Sequence, residues 1–380
     1  MLRQGSILIT VGTRPEIIKM APIIRALQHS GVPFTFLHCG QHYDYNMSQQ
    51  FIEQLNLPKH GINHKITALH PAQQTAQIIT KTAQAIRETK PALMLTEGDT
   101  NSTLATALAA NKQKTNIGHV EAGLRSFDLR MPEEHNRRIV DHISTLLFAP
   151  THHSRLNLEN EKVWGTIYTT GNTIIDAIKQ HLPIAQKQST ILQTINFQEY
   201  ALATAHRQEN VDNPHALKAL GEAFTEAPIP IIYPVHPRTK KRLKQTKLWK
   251  KLAKSKNVQI LPPIGYFDFL ILMKASKLII TDSGGIQEEA TAPEIRKPVL
   301  VTRLYTERPE AVEAGFAKIV GTEKTTILKA IDQTLNTQPQ LPLHSPYGDG
   351  DAAEKIVSII KQTPNNTETT STLEFNDIKI

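Results

Sequence analysis

The chain has 380 residues, of which 39% are hydrophobic and 21% charged, a composition that favours a globular protein with two domains of ordinary size over a disordered one. No apolar run approaches the ~20 residues that span a bilayer, and the start "MLRQGSILITVGTRPE" lacks the apolar region of a signal peptide. We therefore expect no membrane insertion. The single cysteine, Cys39, cannot form an internal disulfide, so we expect a cytoplasmic protein.

The net charge of +8 indicates acidic partners. Much of the excess lies in residues 237–256, "PRTKKRLKQTKLWKKLAKSK", where Leu243, Leu248 and Leu252 form an apolar stripe at helical spacing. No aromatic ladder or known nucleic-acid motif accompanies the lysines. We interpret this stretch as one amphipathic helix with a solvated basic face, and expect no nucleic-acid partner.

Short β-branched runs alternate with helical patterns along the chain. In order, the strand-like runs are "SILITVG", "PFTFLHCG", "PALMLTEGD", "TNIGHVEAG", "TLLFAP", "TIYTTGN", "YALATAHR", "IPIIYPVHP", "VQILPPIG", "KLIITDSGG", "PVLVTR" and "AKIVGT". Apolar strands separated by helices predict an α/β fold with two doubly wound, Rossmann-like domains that face a cleft. Ligands bind such sheets at the carboxyl ends of their strands.

The predicted division of the chain follows this rhythm. We expect an N-terminal domain over residues 1–176, a linker over 177–198 and a C-terminal domain over 199–350. A last helix over 351–362 should cross back to the first domain, and the polar tail 363–380 should be flexible.

Three segments at predicted strand ends carry unusual charge. "HVEAGLRSFDLRMPEEHNRR" (119–138) places Glu121 directly after a strand and Glu133 at a helix start. "TEGDTNSTL" ends another strand with Glu97 and Asp99, where a simple helix cap by Asp99 remains an alternative. In "VGTRPEIIKMAP" (11–22) the cations Arg14 and Lys19 stand at a helix start, against the helix dipole. Both cations could bind the diphosphate of a nucleotide. The alternative for Arg14 is an ordinary surface arginine.

"DSGGIQEEA" (282–290) predicts a tight turn at Ser283, Gly284 and Gly285 before a helix that begins near Ile286. Such a turn can hold phosphate on backbone N–H groups. The alternative is an ordinary glycine turn capped by Ser283, but the carboxylates of Glu288 and Glu289, one turn later, favour a nucleotide.

Two histidines, His206 in "TAHRQEN" and His236 in "YPVHPR", end neighbouring strands of the second domain. Their equivalent positions favour a role at the cleft over a purely structural one. No pair of residues has metal-ligand spacing, so we expect no metal.

Further motifs occur in order along the chain: "GTRPEIIKMAP", "GQHYDYNMS", "GDTNSTLA", "HVEAGLRSFDLRMPEEHNRR", "GNTIIDA", "AHRQEN", "PVH", "ITDSGGIQEEA", "TERPEAVEAG" and "SPYGDG". Together they resemble the non-hydrolysing UDP-N-acetylglucosamine 2-epimerases over nearly the whole chain, from residue 12 to about 350. "FDLRMPEE" and "GQHYDY" resemble archaeal members.

The resemblance implies a glycosyltransferase-B fold, a homodimer and no cofactor. It implies reversible conversion of UDP-N-acetylglucosamine to UDP-N-acetylmannosamine by anti-elimination of UDP, through 2-acetamidoglucal. By motif, the acid/base candidates are Asp99, Glu121 and Glu133, with His206 beside the diphosphate. The implied substrate-binding residues are Arg14, Lys19, His236, Phe269, Ser283, Gly284, Gly285, Glu289 and Arg308. Crowded carboxylates in a closed cleft should raise the pKa of at least one of them.

One loop departs from the family pattern, and one possible activator site matches it only in part. In "TAPEIRKPVL", a loop longer than usual by about two residues on alignment with the pattern, Arg296 stands where glycine is expected. Gln41, Arg207 and His236 match part of an activator site for a second UDP-sugar, without the whole set.

Four other functions stay open from the sequence. They are a hydrolysing 2-epimerase, an epimerase of a related UDP-acetamido sugar, a glycosyltransferase and a UDP-sugar sensor. The last two have no evident use for the acidic cluster.

Overall fold

The computed structural model describes residues 6–40, 51–58, 61–68 and 70–363. Two fully parallel sheets divide the chain. The first contains β1 (Ile7–Val11), β2 (Phe34–His38), β3 (Ile62–Asn63), β4 (Leu93–Glu97), β5 (Asn116–Val120), β6 (Leu146–Ala149) and β7 (Thr166–Thr169). The second contains β8 (Ala201–Ala203), β9 (Ile231–Pro234), β10 (Val258–Leu261), β11 (Leu278–Thr281), β12 (Val299–Val301) and β13 (Ala317–Ile319).

The strand orders are 3-2-1-4-5-6-7 and 10-9-8-11-12-13. Both have the Rossmann pattern, in which the chain starts at the middle of the sheet, builds one half and then returns to build the other. The predicted α/β fold of two doubly wound, Rossmann-like domains is confirmed. The short edge strand β3 had no signal in the sequence.

Helices cover the sheets. Those bounded within the described residues are α1 (Arg14–His29), α2 (Pro71–Thr89), α3 (Asn101–Lys112), α4 (Pro132–Ile143), α5 (His152–Asn160), α6 (Thr173–Gln188), α7 (Gln208–Val211), α8 (Pro214–Glu226), α9 (Pro237–Gln245), α10 (Leu248–Lys254), α11 (Tyr266–Ala275), α12 (Gly284–Glu289), α13 (Pro309–Glu313), α14 (Lys324–Thr337) and α15 (Ala352–Gln362). None of these helices is long and apolar enough to cross a membrane.

Helix α6 joins the two domains. Asn172 caps it by accepting from the backbone N–H of Ile174 at 3.0 Å. The helix packs against α1 of the first domain and against α11 and α12 of the second. The expected domain boundary at residue 176 falls inside α6, and the expected linker 177–198 contains the rest of this helix and a 3₁₀ turn at Ile191–Thr194.

The last helix, α15, packs against α1 and α6. Ile356 and Ile360 are fully buried, and Asp176 accepts from the backbone N–H groups of Ala352 and Ala353 at 3.2 and 2.9 Å. The chain thus returns to the first domain after completing the second. Almost all of the tail predicted to be flexible lies outside the described residues.

The basic stretch 237–256 differs from the prediction of one helix. It forms two, α9 and α10, separated at Lys247, whose φ of 62° is left-handed. Leu243 and Leu252 are buried as the apolar stripe predicted, but the chain turns between them. A residue in the left-handed region ends the helical hydrogen-bond pattern, and lysine gives no sequence signal for it.

The loop with the unexpected Arg296 also uses left-handed backbone, since Arg296 has φ 46°. Glycine normally occupies this region because it has no Cβ. The guanidinium offsets part of that cost, because its Nε and Nη2 donate to the carbonyls of Pro342 and Leu341 at 3.1 and 2.7 Å.

Candidate active site

The carboxyl ends of the two sheets face a cleft of about 390 Å³ between the domains. Nine residues expected at the site line it: Lys19, Asp99, Glu121, Glu133, Ser283, Gly284, Gly285, Glu289 and Arg308. Met131, Arg137, Arg207 and Glu307 also line it. No particular role was predicted for Arg137 or Glu307.

Four expected residues lie outside this lining. His206 lines an adjoining cavity of about 840 Å³, which shares Met131, Glu133 and Arg207 with the cleft. The Arg14 guanidinium stacks on the ring of Phe51 at 4.7 Å. Phe269 is half-buried against the apolar core. The roles of Arg14, Phe269 and His236 in binding stay predictions, and Gln41 lies outside the described residues.

Glu121 is 8% exposed and has left-handed backbone, with φ 69°. Lys19 donates from Nζ to both its carboxylate oxygens at 2.6 Å, and Asn172 donates to Oε1 at 3.1 Å. Burial would raise the pKa of Glu121, but Lys19 and Arg308 hold that pKa well below its usual range. The carboxylate is therefore ionised. Non-glycine residues persist in left-handed backbone where surrounding contacts enforce it, often at functional sites.

Lys19 also lies 3.1 Å from Glu97. Burial would lower the pKa of Lys19, but Glu121 and Glu97 together raise it. Lys19 thus forms ion pairs with two carboxylates, and its expected contact with phosphate stays a prediction. Glu97 was visible at a strand end, next to the strand that Glu121 follows, but nothing in the sequence indicated that both would contact one lysine.

On the other side of the cleft, Arg308 pairs with the buried carboxylate of Glu288 and lies 3.8 Å from Glu121. Asn172 also donates to Glu288 at 3.3 Å, so one amide bridges carboxylates of the two domains. Burial raises the pKa of Glu288 to about 7. Glu289 lines the cleft, and burial raises its pKa to about 8. Burial is the main cause for both groups, and the neighbouring carboxylates of Glu121 and Glu288 add to it.

Asp99 reaches the cleft from the loop between β4 and α3, and Glu133 from the first turn of α4. Arg137 donates to Asp99 Oδ2 at 2.5 Å, and Asn136 donates to the Asp99 carbonyl at 2.9 Å. Glu133 is exposed, whereas the neighbouring Glu134 is fully buried. Glu134 accepts from the backbone N–H and the hydroxyl of Ser126 at 2.8 and 2.9 Å. Glu134 therefore supports the loop, and Glu133 remains available to a ligand.

His206 is held by the buried carboxylate of Asp282. Its Nδ1 lies 3.1 Å from Asp282 Oδ1, and Asp282 also accepts from the backbone N–H groups of His206 and Arg207 at 2.9 and 3.0 Å. Burial would raise the pKa of Asp282, but the hydrogen bond from His206 lowers it. This arrangement fixes the imidazole at the carboxyl end of β8. His236 caps α9, with its ring centre 6.3 Å from that of His206.

Helix α12 begins at Gly284, two residues before the predicted start at Ile286. Ser283 is its N-cap residue but, within the described part of the chain, its side chain makes no capping hydrogen bond. A Cβ on Gly284 would lie 3.1 Å from Glu307 Oε1, whereas a Cβ on Gly285 would meet nothing within 4 Å. Gly285 thus leaves space in the cleft.

Among the described residues, no group of three or more His, Cys, Asp or Glu side chains is arranged to hold a metal ion. The site consists of carboxylates, cations and a glycine turn.

Residues 25–361 match the family UDP-N-acetylglucosamine 2-epimerase. A relative named UDP-N-acetylglucosamine 2-epimerase, from Methanocaldococcus jannaschii, is 44% identical over 361 residues, covering 93% of this chain and 98% of the relative. The crystal structure of the enzyme from that organism, in complex with UDP-GlcNAc and UDP, has a TM-score of 0.84 at 43% identity and covers 94% of this chain and 100% of that one.

A third relative has a different name. It is UDP-2,3-diacetamido-2,3-dideoxy-D-glucuronate 2-epimerase from Pseudomonas aeruginosa, 36% identical over 365 residues, with 93% of this chain and 99% of the relative covered. The family match spans most of the chain, and the high identity extends over nearly its full length. The chain belongs to the UDP-N-acetylglucosamine 2-epimerase family.

Proposed function

We propose that this protein converts UDP-N-acetylglucosamine to UDP-N-acetylmannosamine reversibly, by eliminating UDP and adding it back after a proton has returned to the other face of C2. It is then a non-hydrolysing isomerase. The observation that carries the proposal is a cleft lined by three carboxylates from separate parts of the chain. Asp99 follows β4, Glu121 follows β5 and Glu133 lies in the first turn of α4. Inversion at C2 needs a proton taken from one face and a proton supplied to the other.

The electrostatics of the cleft support this chemistry. Glu121 is buried beside Lys19 and Arg308, which keep it in the deprotonated form that a base needs. Departure of UDP develops negative charge on the diphosphate. The Arg207 guanidinium lines both cavities, and His206 lines the larger one beside it. Cations placed in advance around a leaving group lower the barrier to its departure.

In this proposal the glycine turn before α12 binds the diphosphate of the nucleotide. Gly285 leaves room for phosphate next to the first backbone N–H groups of α12. Glu289, one turn further, lines the same cleft and is assigned to the ribose. Phe269 and Arg14 are assigned to the uracil and to phosphate by motif.

A related substrate is the second candidate. The Pseudomonas relative is named for a diacetamido uronic-acid sugar. Its similarity covers 93% of this chain, so the sugar pocket is the part of the proposal that most needs a direct test. We also propose a homodimer in the cytoplasm, as the resemblance and the single cysteine predict.

Product analysis tests the proposal. Purified protein should convert UDP-N-acetylglucosamine to a mixture that contains UDP-N-acetylmannosamine, with no accumulation of free UDP. Stoichiometric UDP and free N-acetylmannosamine would instead identify a hydrolysing enzyme. Conversion of the diacetamido uronic-acid substrate alone would establish the second candidate.

A further inference from the structure

Glu97 is a buried carboxylate that the proposed reaction does not use. It ends β4, is 2% exposed and is not among the residues that line the cleft. Its side chain lies within hydrogen-bonding distance of Glu121, the carboxylate that does face the cleft. Two carboxylates can make such a hydrogen bond only when one of them carries a proton.

The charges around the pair also require one proton. Three buried carboxylates, Glu97, Glu121 and Glu288, contact two cations, Lys19 and Arg308. If all five groups were ionised, the buried cluster would have one negative charge in excess, which is costly away from water. A single proton makes the cluster neutral.

The contacts indicate where that proton lies. Glu121 receives Lys19 on both oxygens and Asn172 on one, and Glu288 is paired with Arg308 and Asn172. Of the three carboxylates, Glu97 makes the weakest contact with a cation. Its Oε1 is 3.1 Å from Lys19 Nζ but accepts no hydrogen bond within the described residues.

We propose that Glu97 is a positioning residue, which carries a proton at pH values where Glu121 and Glu288 are both ionised, and donates its O–H to the Glu121 carboxylate. In this way it holds Glu121 ionised and aimed at the cleft as a base. The role rests on the proposed function, but the protonation of Glu97 does not.

The titratable groups that face Glu97 agree with this assignment. Burial is the main cause that raises the pKa of Glu97. Lys19 opposes it, and Glu121 and the nearby Glu16 add to it. Glu16 does not compete for the role, because it accepts from the backbone N–H of Gly12 and from the hydroxyls of Thr13 and Thr100.

Substitutions at position 97 separate a neutral donor from an ionised partner of Lys19. Glu97→Gln keeps the size and a donor but has no charge, so it should retain turnover within a few-fold of wild type and the same pH profile. Glu97→Met removes the donor. Turnover should then fall well below that of Glu97→Gln, although neither variant carries a charge at position 97, because only the Gln side chain can donate a hydrogen bond to Glu121. If Glu97 were ionised, the Gln variant would instead lose stability and turnover, and that result would overturn the proposal.

A spectroscopic measurement does not depend on turnover. We would record the infrared C=O stretch of protonated carboxyl groups at a pH above the pKa values of Glu16, Glu288 and Glu289, about 7, 7 and 8. Wild type should show the band and Glu97→Gln should lose it. The matched control is Asp176→Asn, another buried carboxylate, whose pKa of about 6 leaves it ionised at that pH, so its band should be unchanged.

The infrared and turnover measurements separate a failure of the Glu97 proposal from a failure of the proposed function. Absence of the band in wild type overturns the protonated Glu97 even if the variants do not fold. A band that is lost in Glu97→Gln, in a protein that converts no UDP-sugar, would confirm the proton on Glu97 and contradict the proposed function and the positioning role with it.

Discussion

The buried lysine at the cleft determines the chemistry of its neighbours. Lys19 lies between Glu97 and Glu121, so it does for the carboxylates what a bound metal does elsewhere: it keeps one of them ionised in a site sheltered from water. The motif places a cation near the start of α1, where the helix dipole disfavours positive charge, so the lysine is not there for helix stability. The structure adds that its partners are carboxylates.

Removal of Lys19 should therefore destabilise the protein. Lys19→Met leaves the buried Glu121 without its main partner, and loss of one member of a buried pair costs about 3–5 kcal/mol. Adding Glu121→Gln should restore part of the loss, because the orphaned charge is gone. Urea unfolding of the two single variants and the double variant measures the coupling. Additive effects would contradict the ion pair.

The acid/base assignment concerns turnover more than nucleotide binding. Asp99→Asn and Glu121→Gln should each lose about 10²–10⁴-fold in kcat, the range for a general acid or base. UDP affinity, measured by calorimetry, should change little because neither side chain is assigned to the nucleotide. Wild-type turnover in either variant would contradict the assignment.

Most of the strands could be predicted from the sequence, because the buried strands of a parallel sheet consist of continuous apolar residues. All twelve predicted strands are present, and the added β3 is only two residues long. The turn at Lys247 was missed because its left-handed backbone is adopted by a residue with no preference for it. Strand ends gave the site its position, but partners such as Arg137 for Asp99 are set by tertiary packing, which residue spacing does not reveal.

The glycine turn before α12 offers a prediction at this scale. Gly285→Ala meets no atom in the protein but places a methyl group in the cleft, so UDP should bind more weakly while thermal stability stays the same or rises. The control is Gly221→Ala in α8, where the new Cβ makes only ordinary contacts near 4.0 Å. It should add about 1 kcal/mol of stability and leave UDP affinity unchanged. Unaltered UDP affinity in the Gly285 variant would remove the turn from the binding site.

The two domains of the whole molecule share apolar packing. One hydrophobic cluster contains Ile9 and Ile279, from the two sheets, together with Ile356 of α15. Polar contacts also cross between the domains, since Thr151 donates to Glu310 at 2.5 Å and Tyr305 donates to Asp128 at 2.9 Å. Helices α6 and α15 connect the two halves, because α6 packs against helices of both and α15 follows the second sheet in the chain but packs against α1 of the first domain.

We expect the domains to unfold together. Ile356→Ala removes a fully buried side chain, and such truncations cost about 2–5 kcal/mol. In differential scanning calorimetry the variant should show one transition, shifted as a whole to lower temperature. Two separate transitions, with only one of them shifted, would show that α15 stabilises a single domain.

The central claim is that the cleft exchanges the proton on C2 of a UDP-sugar, and proton NMR in D₂O tests it most directly. With UDP-N-acetylglucosamine as substrate, we predict that UDP-N-acetylmannosamine appears and that deuterium accumulates at C2 of both sugars. If no deuterium enters C2 of UDP-N-acetylglucosamine or of any related UDP-acetamido sugar, the proposed acid/base role of the carboxylates is wrong.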